Sequence, residues 1–444
     1  MNVQKLVSLN LNVRGLGQSA TLAIKDKCRE LRRAGRDVYD FGLGQSPFPV
    51  PEPVVEALRA AATEKEYLPA RGLRELREAV AEFHRRVDGV DRRADLVLVG
   101  PGSKELMFVL QLAYYGEIVL TPPCWVSYWP QARILGRRFS LIHTSFESGW
   151  KVSAQRLHDS LRLVNDDLRP RLLILNYPNN PSGATFSEDE LREIAEIARR
   201  YELIVLSDEI YGRLHLTDQH VSIARFYPEG TILASGLSKW CGAGGWRLGT
   251  FSFPPELDWL ASAMTTIASE TYTSVCAPVQ HAAVRAFAFD SDIQAYLQHS
   301  RRVLAAVMRP ATTILRDAGI RVRDPAGGFY LFLDFSPLAE RLAQRGVTDA
   351  RTLAQRLLDD GGVASLPGSA FGRSRRDLTV RIALVDFDGA AALAASRTIP
   401  LEQALPESFV AEHCGRLIAG VRRIAAWAED GPAPPQRETS DALS

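Results

Sequence analysis

Cysteine is scarce in this chain. The five, Cys28, Cys124, Cys241, Cys276 and Cys414, include no CxxC pair, which argues against the disulfide framework of a small secreted domain. The eight histidines fall in no HExxH or related spacing, so no metal site is expected. A surplus of one charge sign is also missing. Lys and Arg number 53 against 52 Asp and Glu, a formal net charge of +1. A protein that lives on nucleic acid or an anionic membrane usually carries a basic excess. The local basic cluster of Arg373, Arg375 and Arg376 reads as a solvated loop. Apolar runs fall well short of the roughly 20 residues a membrane span needs. After Lys5, only four residues precede Asn10, too few for a secretory leader. These absences point to a cytoplasmic location, with no nucleic-acid or membrane partner.

What is present is an ordinary globular composition, 46% apolar and 24% charged over 444 residues. That length favours a large domain with a smaller companion. Short β-rich runs occur at 96–99, 118–121, 139–143, 172–175, 203–206, 232–234 and 248–253. Several are nearly continuous in apolar residues, as strands covered on both faces must be. Amphipathic stretches separate them. One, at 187–201, opens with Ser187 and Glu190 in capping-box spacing. The alternation predicts an α/β fold with a mostly parallel sheet. Residues 20–34 read as a helix and 42–53 as a Gly/Pro-rich passage. Beyond about residue 290 the pattern becomes α+β, with a long helix at 293–318 and strands at 328–334 and 379–384. The expected division is 1–48 as an N-terminal arm and part of a small domain, 49–292 as the large domain, and 293–428 as the rest of the small domain. The tail 429–444 is rich in Pro, Ser and charge and is expected to be disordered.

In an open parallel sheet, ligands sit at the carboxyl ends of the strands. The first run is followed by Gly100-Pro101-Gly102-Ser103-Lys104 and a helical pattern, where free N–H groups would cradle a phosphate. The second leads to Trp125, a core residue or a platform for a flat ring. Asn176, Asn179 and Asn180 crowd the turn after 172–175. Asp208 and Tyr211 follow 203–206; the Asp reads as a helix cap or as a buried carboxylate in need of a cation. Ser238 and Lys239 follow 232–234, with Arg247 eight residues on. A lysine ending a buried strand is unusual, and desolvation makes such an amine a Schiff-base nucleophile. Together the strand ends describe a pocket for a flat, phosphorylated aromatic aldehyde. Pyridoxal 5'-phosphate (PLP) is that molecule.

With these motifs, the sequence resembles the fold-type I PLP enzymes, class I/II aminotransferases, over about residues 20–425. It is most similar to the bacterial branch of aspartate and aromatic aminotransferases. The motifs are Asn180-Pro181-Ser182-Gly183, Ser207-Asp208-Glu209-Ile210-Tyr211, Ser238-Lys239, Gly245-Trp246-Arg247-Leu248-Gly249, and Arg381 in Val380-Arg381-Ile382. The resemblance implies a large PLP-binding domain with a smaller α+β domain. It implies that Lys239 bonds the cofactor's aldehyde, that Asp208 pairs with the ring nitrogen, and that Tyr211 and Asn180 bond the ring's phenolic oxygen. Trp125 would stack on the ring. The backbone N–H groups of Gly102, Ser103 and Lys104, with Arg247 and Ser238, would hold the phosphate. Arg381, helped by Asn180 and the backbone at Gly44, would receive the substrate's α-carboxylate. Tyr67 resembles a tyrosine that reaches the neighbouring subunit's phosphate, which implies a homodimer with shared sites. The activity implied is transfer of an amino group from an α-amino acid to a 2-oxo acid through aldimine and pyridoxamine forms of the cofactor, in a ping-pong cycle.

Three departures from the family pattern stand out. Gly236 replaces a phosphate-binding Ser or Thr, for which Ser238 or Ser235 could compensate. Gly244 stands where Pro or Thr is common. Residues 113–117 lack the usual Gly-Asp pair. Elimination, cyclisation or decarboxylation on the same cofactor stays open, as does a non-catalytic protein of this fold. A dinucleotide site is disfavoured, because Gly100-Pro101-Gly102-Ser103-Lys104-Glu105 is not GxGxxG. Lys104, Tyr128 and residues 14–21 are candidates for the substrate side-chain pocket.

Overall fold

The computed structural model describes residues 9–163 and 170–430. The stretch around Lys5 and residues 431–444 of the tail lie outside the described residues. Among the described residues, twelve strands occur in chain order: β1 (Tyr39–Asp40), β2 (Val97–Gly100), β3 (Glu117–Leu120), β4 (Phe139–Leu141), β5 (Arg171–Asn176), β6 (Ile204–Asp208), β7 (Thr231–Gly236), β8 (Gly249–Ser252), β9 (Tyr330–Asp334), β10 (Val363–Ala364), β11 (Leu366–Pro367) and β12 (Thr379–Ala383).

The central sheet has seven strands in the order β2-β8-β7-β6-β5-β3-β4. Strands β3 to β7 run parallel, and β5, β6 and β7 are buried along their whole length. Their Leu, Ile and Val side chains face helices on both sides, which explains the unbroken apolar runs. The architecture is that of fold type I, α/β with a mostly parallel sheet. One strand departs from the βαβ rhythm. β8 is antiparallel to both β2 and β7, because the connection 237–248 holds only a short turn and no crossover helix.

Helix Glu188–Arg200 begins with the expected capping box. The Ser187 hydroxyl accepts from the Glu190 N–H, and the Glu190 carboxylate accepts from the Ser187 N–H. Such a cap contributes on the order of 1 kcal/mol. Beyond the sheet, helix Ser291–Asp317 leads to a three-stranded antiparallel sheet in the order β11-β12-β9. Helix Ser408–Asp430 closes the described chain, so the expected disorder does not begin at Glu429. β1 pairs with β10 in parallel, which ties an N-terminal segment to a C-terminal one. On that pairing we propose that the flanks 1–48 and 293–428 form one small unit beside 49–292. No helix among the described residues is long and apolar enough to cross a membrane, and those residues hold no cluster suited to a metal ion.

Candidate active site

A cavity of about 460 Å³ opens at the carboxyl ends of β5, β6 and β7, roofed by residues from β9, β12 and helix Ala20–Arg33. Lys239 stands at its wall. Its ammonium donates to the Gly44 carbonyl at 2.6 Å and lies 5.6 Å from the Tyr211 ring centroid. The group faces the cavity and so is not sealed from water. The surrounding protein still pushes its pKa down to about 8, assisted by the charges of Arg381 and Arg247.

Asp208, the last residue of β6, is buried opposite. The Tyr128 hydroxyl donates to its Oδ2 at 2.5 Å, and the Ile210 N–H reaches its Oδ1 at 3.4 Å. Burial raises its pKa to about 6, and the Tyr128 bond opposes that rise. β5 supplies Asn176, whose amide donates to the Asp208 carbonyl and whose Oδ1 accepts from the Asn180 N–H at 2.7 Å. Asn180 thereby becomes a fixed acceptor for Arg381 Nη1 at 3.3 Å.

Arg381 is 0% exposed. Its other contacts are the Gly42 carbonyl and the faces of Tyr330 (4.7 Å) and Phe371 (5.2 Å). It forms no ion pair among the described residues, and its Nε has no hydrogen-bond partner. A buried guanidinium left this way is a receptor for a carboxylate.

The third element is the turn after β2. Gly102 caps helix Ser103–Ala113 with φ +89° and no side-chain cap, so the first N–H groups of the helix point outward. A Cβ at Gly102 would lie 2.2 Å from Arg247 Nη2, and one at Gly249 would lie 2.2 Å from the Ser103 nitrogen. Only glycines permit this closeness. Arg247, in the left-handed region, spans the turn by donating to the Gly244 and Pro101 carbonyls. Uncapped N–H groups, a positive helix end and a guanidinium form an anion cradle. Trp125 lines the cavity beside it, edge-on to Tyr128 at 5.3 Å and with the Lys104 ammonium 5.0 Å from its ring centroid.

Lys104, Lys239, Arg247 and Arg381 thus surround a cavity whose sole acidic lining residue, among those described, is Asp208. The cations exceed what the protein itself neutralises. PLP fits that imbalance: a phosphate for the cradle, a flat ring for Trp125, a ring nitrogen for Asp208 and an aldehyde within reach of Lys239.

Every site residue expected from the sequence lines or adjoins this cavity except Tyr67. That side chain is 89% exposed and is not part of its own chain's cavity. Gly236 has a backbone reason. At φ +155° a Cβ would come within 2.7 Å of the Leu248 carbonyl, so a hydroxyl residue there would clash with β8. Ser238 lines the cavity, while Ser235 is buried in β7 and does not. Tyr128 bonds Asp208 rather than facing the substrate side. Of residues 14–21, Thr21 reaches the cavity, joined by Leu22 and Lys25. Sequence reasoning missed Tyr330, whose hydroxyl bonds that of Tyr211 at 2.7 Å. It also assigned no role to the Asn176 side chain, although that residue stood in the quoted turn.

The fold and this cavity define a PLP-dependent transferase of fold type I. The chain belongs to the aminotransferase class I and II family, whose profile matches residues 36–391. It is 32% identical over 375 residues to an aspartate/prephenate aminotransferase of Thermus thermophilus, covering 83% of this chain and 93% of that one. It is 29% identical to an aspartate aminotransferase of Bacillus subtilis, over 82% of this chain and 92% of the relative. Among solved structures, the aspartate aminotransferase of Thermus thermophilus with maleate superposes with a TM-score of 0.80 at 29% identity, covering 94% of this chain and 99% of that one. The protein is a PLP-dependent aminotransferase, a transferase of nitrogenous groups acting on amino and keto acids.

Proposed function

We propose that this aminotransferase takes acidic, dicarboxylic amino acids as its preferred donors. The observation that carries the proposal is a pair of cations, Arg381 and Lys104, that line one cavity with no carboxylate partner among the described residues. Arg381 suits the α-carboxylate, because a guanidinium held by Asn180 presents a flat bidentate face. Lys104 suits the distal one. Burial and the Arg247 charge lower its pKa, so an approaching carboxylate gains by restoring the favoured charge. The relatives named for aspartate support the same reading.

Bound in this cavity, PLP supplies an electron sink for the pair of electrons left when an amino acid loses its α-proton. The protein's part is assigned as follows. Asp208, ionised and held by Tyr128, keeps the ring nitrogen protonated. Tyr211 and Asn180 bond the phenolic oxygen. Trp125 fixes the ring plane, while the backbone N–H groups of Gly102, Ser103 and Lys104, with Ser238 and Arg247, hold the phosphate, which leaves the Lys104 ammonium for the substrate. Arg381 orients the substrate so that its α-hydrogen faces Lys239 Nζ. That amine, poised near pH 8, takes up the α-proton and holds it for return. A 2-oxo acid then reverses the sequence.

Tyr67 is assigned to the active site of a second copy in a homodimer. Its exposure supports this, as does its lack of any hydrogen bond to a described residue. A cytoplasmic location is assigned with it, in keeping with five free thiols.

A screen of amino donors against 2-oxoglutarate tests the substrate. Aspartate or glutamate should lead, and Lys104→Gln should lose roughly tenfold in kcat/KM for acidic donors but little for neutral ones. Equal losses for both classes would refute the assignment.

A further inference from the structure

The basic cluster that sequence reasoning left as a solvated loop folds partly inward. Arg373 lines a second cavity of about 510 Å³, between the segment after β4 and the segment before β12. Its lining includes His143, Ser148, Arg156, Arg373, Ser374 and Asp377. Asp377 is the only carboxylate in that lining among the described residues, and it is already paired with Arg373 Nη2 at 2.8 Å. Arg373 Nη1 donates to the Thr144 carbonyl at 2.6 Å, and its Nε is buried without a partner. The Arg156 guanidinium bonds nothing among the described residues. Burial and the Arg373 charge both lower the His143 pKa, a sign that positive charge is crowded here. Arg375 and Arg376 stand exposed just beyond the rim. The nearby Glu147 is bound to Arg321 at 3.1 Å and does not relieve the crowding.

We propose that this cavity binds a small multivalent anion of the phosphate-ester or polyphosphate class, and that binding is felt at the active site. Two guanidinium groups and several hydroxyls converge on a concave surface whose single acid is spent on one of them. That set offers a net positive charge, with Arg375 and Arg376 near the rim, and guanidinium and hydroxyl donors suited to a compact anion. It does not match nucleic acid, because the site is a pocket and the chain as a whole carries a charge of only +1.

The route to the active site is short. The Thr144 carbonyl holds Arg373, and the Thr144 hydroxyl donates to the Pro122 carbonyl at 2.8 Å. Pro122 leads to Trp125, and the Cys124 N–H donates to the Phe371 carbonyl at 3.0 Å. Phe371 packs against Arg381. An anion that draws Arg373 off Thr144 therefore acts on the loop carrying Trp125 and on the ring behind Arg381.

The test is calorimetric titration of the holoenzyme with inorganic pyrophosphate at low ionic strength. Holoenzyme is used because its cofactor already fills the phosphate cradle. Saturable binding is expected. Arg156→Gln and Arg373→Gln should each weaken it on the order of tenfold, and Arg375→Gln, outside the lining, less than about twofold. Arg156 is exposed, so that variant tests the site without disturbing the core. Saturating pyrophosphate should also change the KM for the amino donor in the wild type and not in Arg156→Gln. No saturable binding at millimolar pyrophosphate would overturn the site, and so would equal weakening by all three variants. Binding with an unchanged KM would overturn the coupling. None of these results bears on the assignment of aminotransferase activity.

Discussion

Tyr128→Phe isolates the bond that governs Asp208. In the ligand-free chain, burial pushes the Asp208 pKa up to about 6 even though Tyr128 opposes the rise. A hydrogen bond to an ionised acceptor contributes about 1.5–3 kcal/mol. Dividing by about 1.4 kcal/mol per pKa unit, its loss should raise the Asp208 pKa by a further one to two units, to about 7–8. The wild-type carboxyl would then be about nine-tenths ionised at neutral pH, and the variant's only about one-tenth to one-half. Only the ionised form can pair with a protonated ring nitrogen. Affinity of the apoprotein for PLP should therefore fall about two- to tenfold at neutral pH and recover at higher pH. The assay is quenching of tryptophan fluorescence by PLP from about pH 5 to about pH 9, run on both proteins. Lys239 and the phosphate also titrate in that range, but they do so equally in both proteins, so the difference reports on Asp208. The sign is fixed by the raised pKa. The protonated acid is the form favoured by burial, so the ligand-free wild type loses stability as pH rises through about 6. The loss starts near the unfolded carboxyl's pKa of about 4 in both proteins, and in the variant it should continue up to about 7–8. Superimposable pH curves for the two proteins would refute the argument.

Other outcomes follow from the same geometry. Lys239→Ala should abolish turnover and the visible absorbance of bound cofactor; a variant that retained both would overturn the assignment. Reductive methylation of Lys239 in apoprotein should rise through about pH 8, well below exposed lysines, as peptide mapping can show. Arg381→Lys should cost about 2 kcal/mol, on the order of 30-fold in kcat/KM, by replacing a bidentate contact with a single one. It should cost far less with an amine lacking the α-carboxylate, and equal losses would count against Arg381 as its receptor. Gly102→Ala should weaken PLP binding and lower thermal stability, because its Cβ would press on Arg247 at a φ that alanine resists.

Much of the site was legible because the chemistry clusters at strand ends. Buried runs such as β5, β6 and β7 announce themselves by composition, and Asn180, Asp208 and Lys239 follow them at once. Tyr330 was not legible that way. It lies in β9, far along the chain from Tyr211, and meets it only because the small antiparallel sheet packs over the strand ends. Tyr128 was visible but misread, since nothing local to a sequence says which way a phenol turns. The antiparallel course of β8 also escaped notice: its composition resembles a parallel strand, and only the missing crossover helix distinguishes it. The Gly236 departure looked like a lost phosphate contact and is instead a close approach of two backbones. Tyr67 lies outside its own chain's cavity, and nothing local to the sequence says where its side chain ends up.

The crowding of Lys104, Lys239, Arg247 and Arg381 around one carboxylate has a consequence for the protein's life in the cell. Like charges held together in the empty cavity repel, so vitamin-derived cofactor is a counterweight as well as a reagent. A ligand at a hundredfold excess over its Kd adds about 2.7 kcal/mol to the folded state, a large share of a typical stability margin. Loading with cofactor would then raise this enzyme's resistance to heat and to proteolysis.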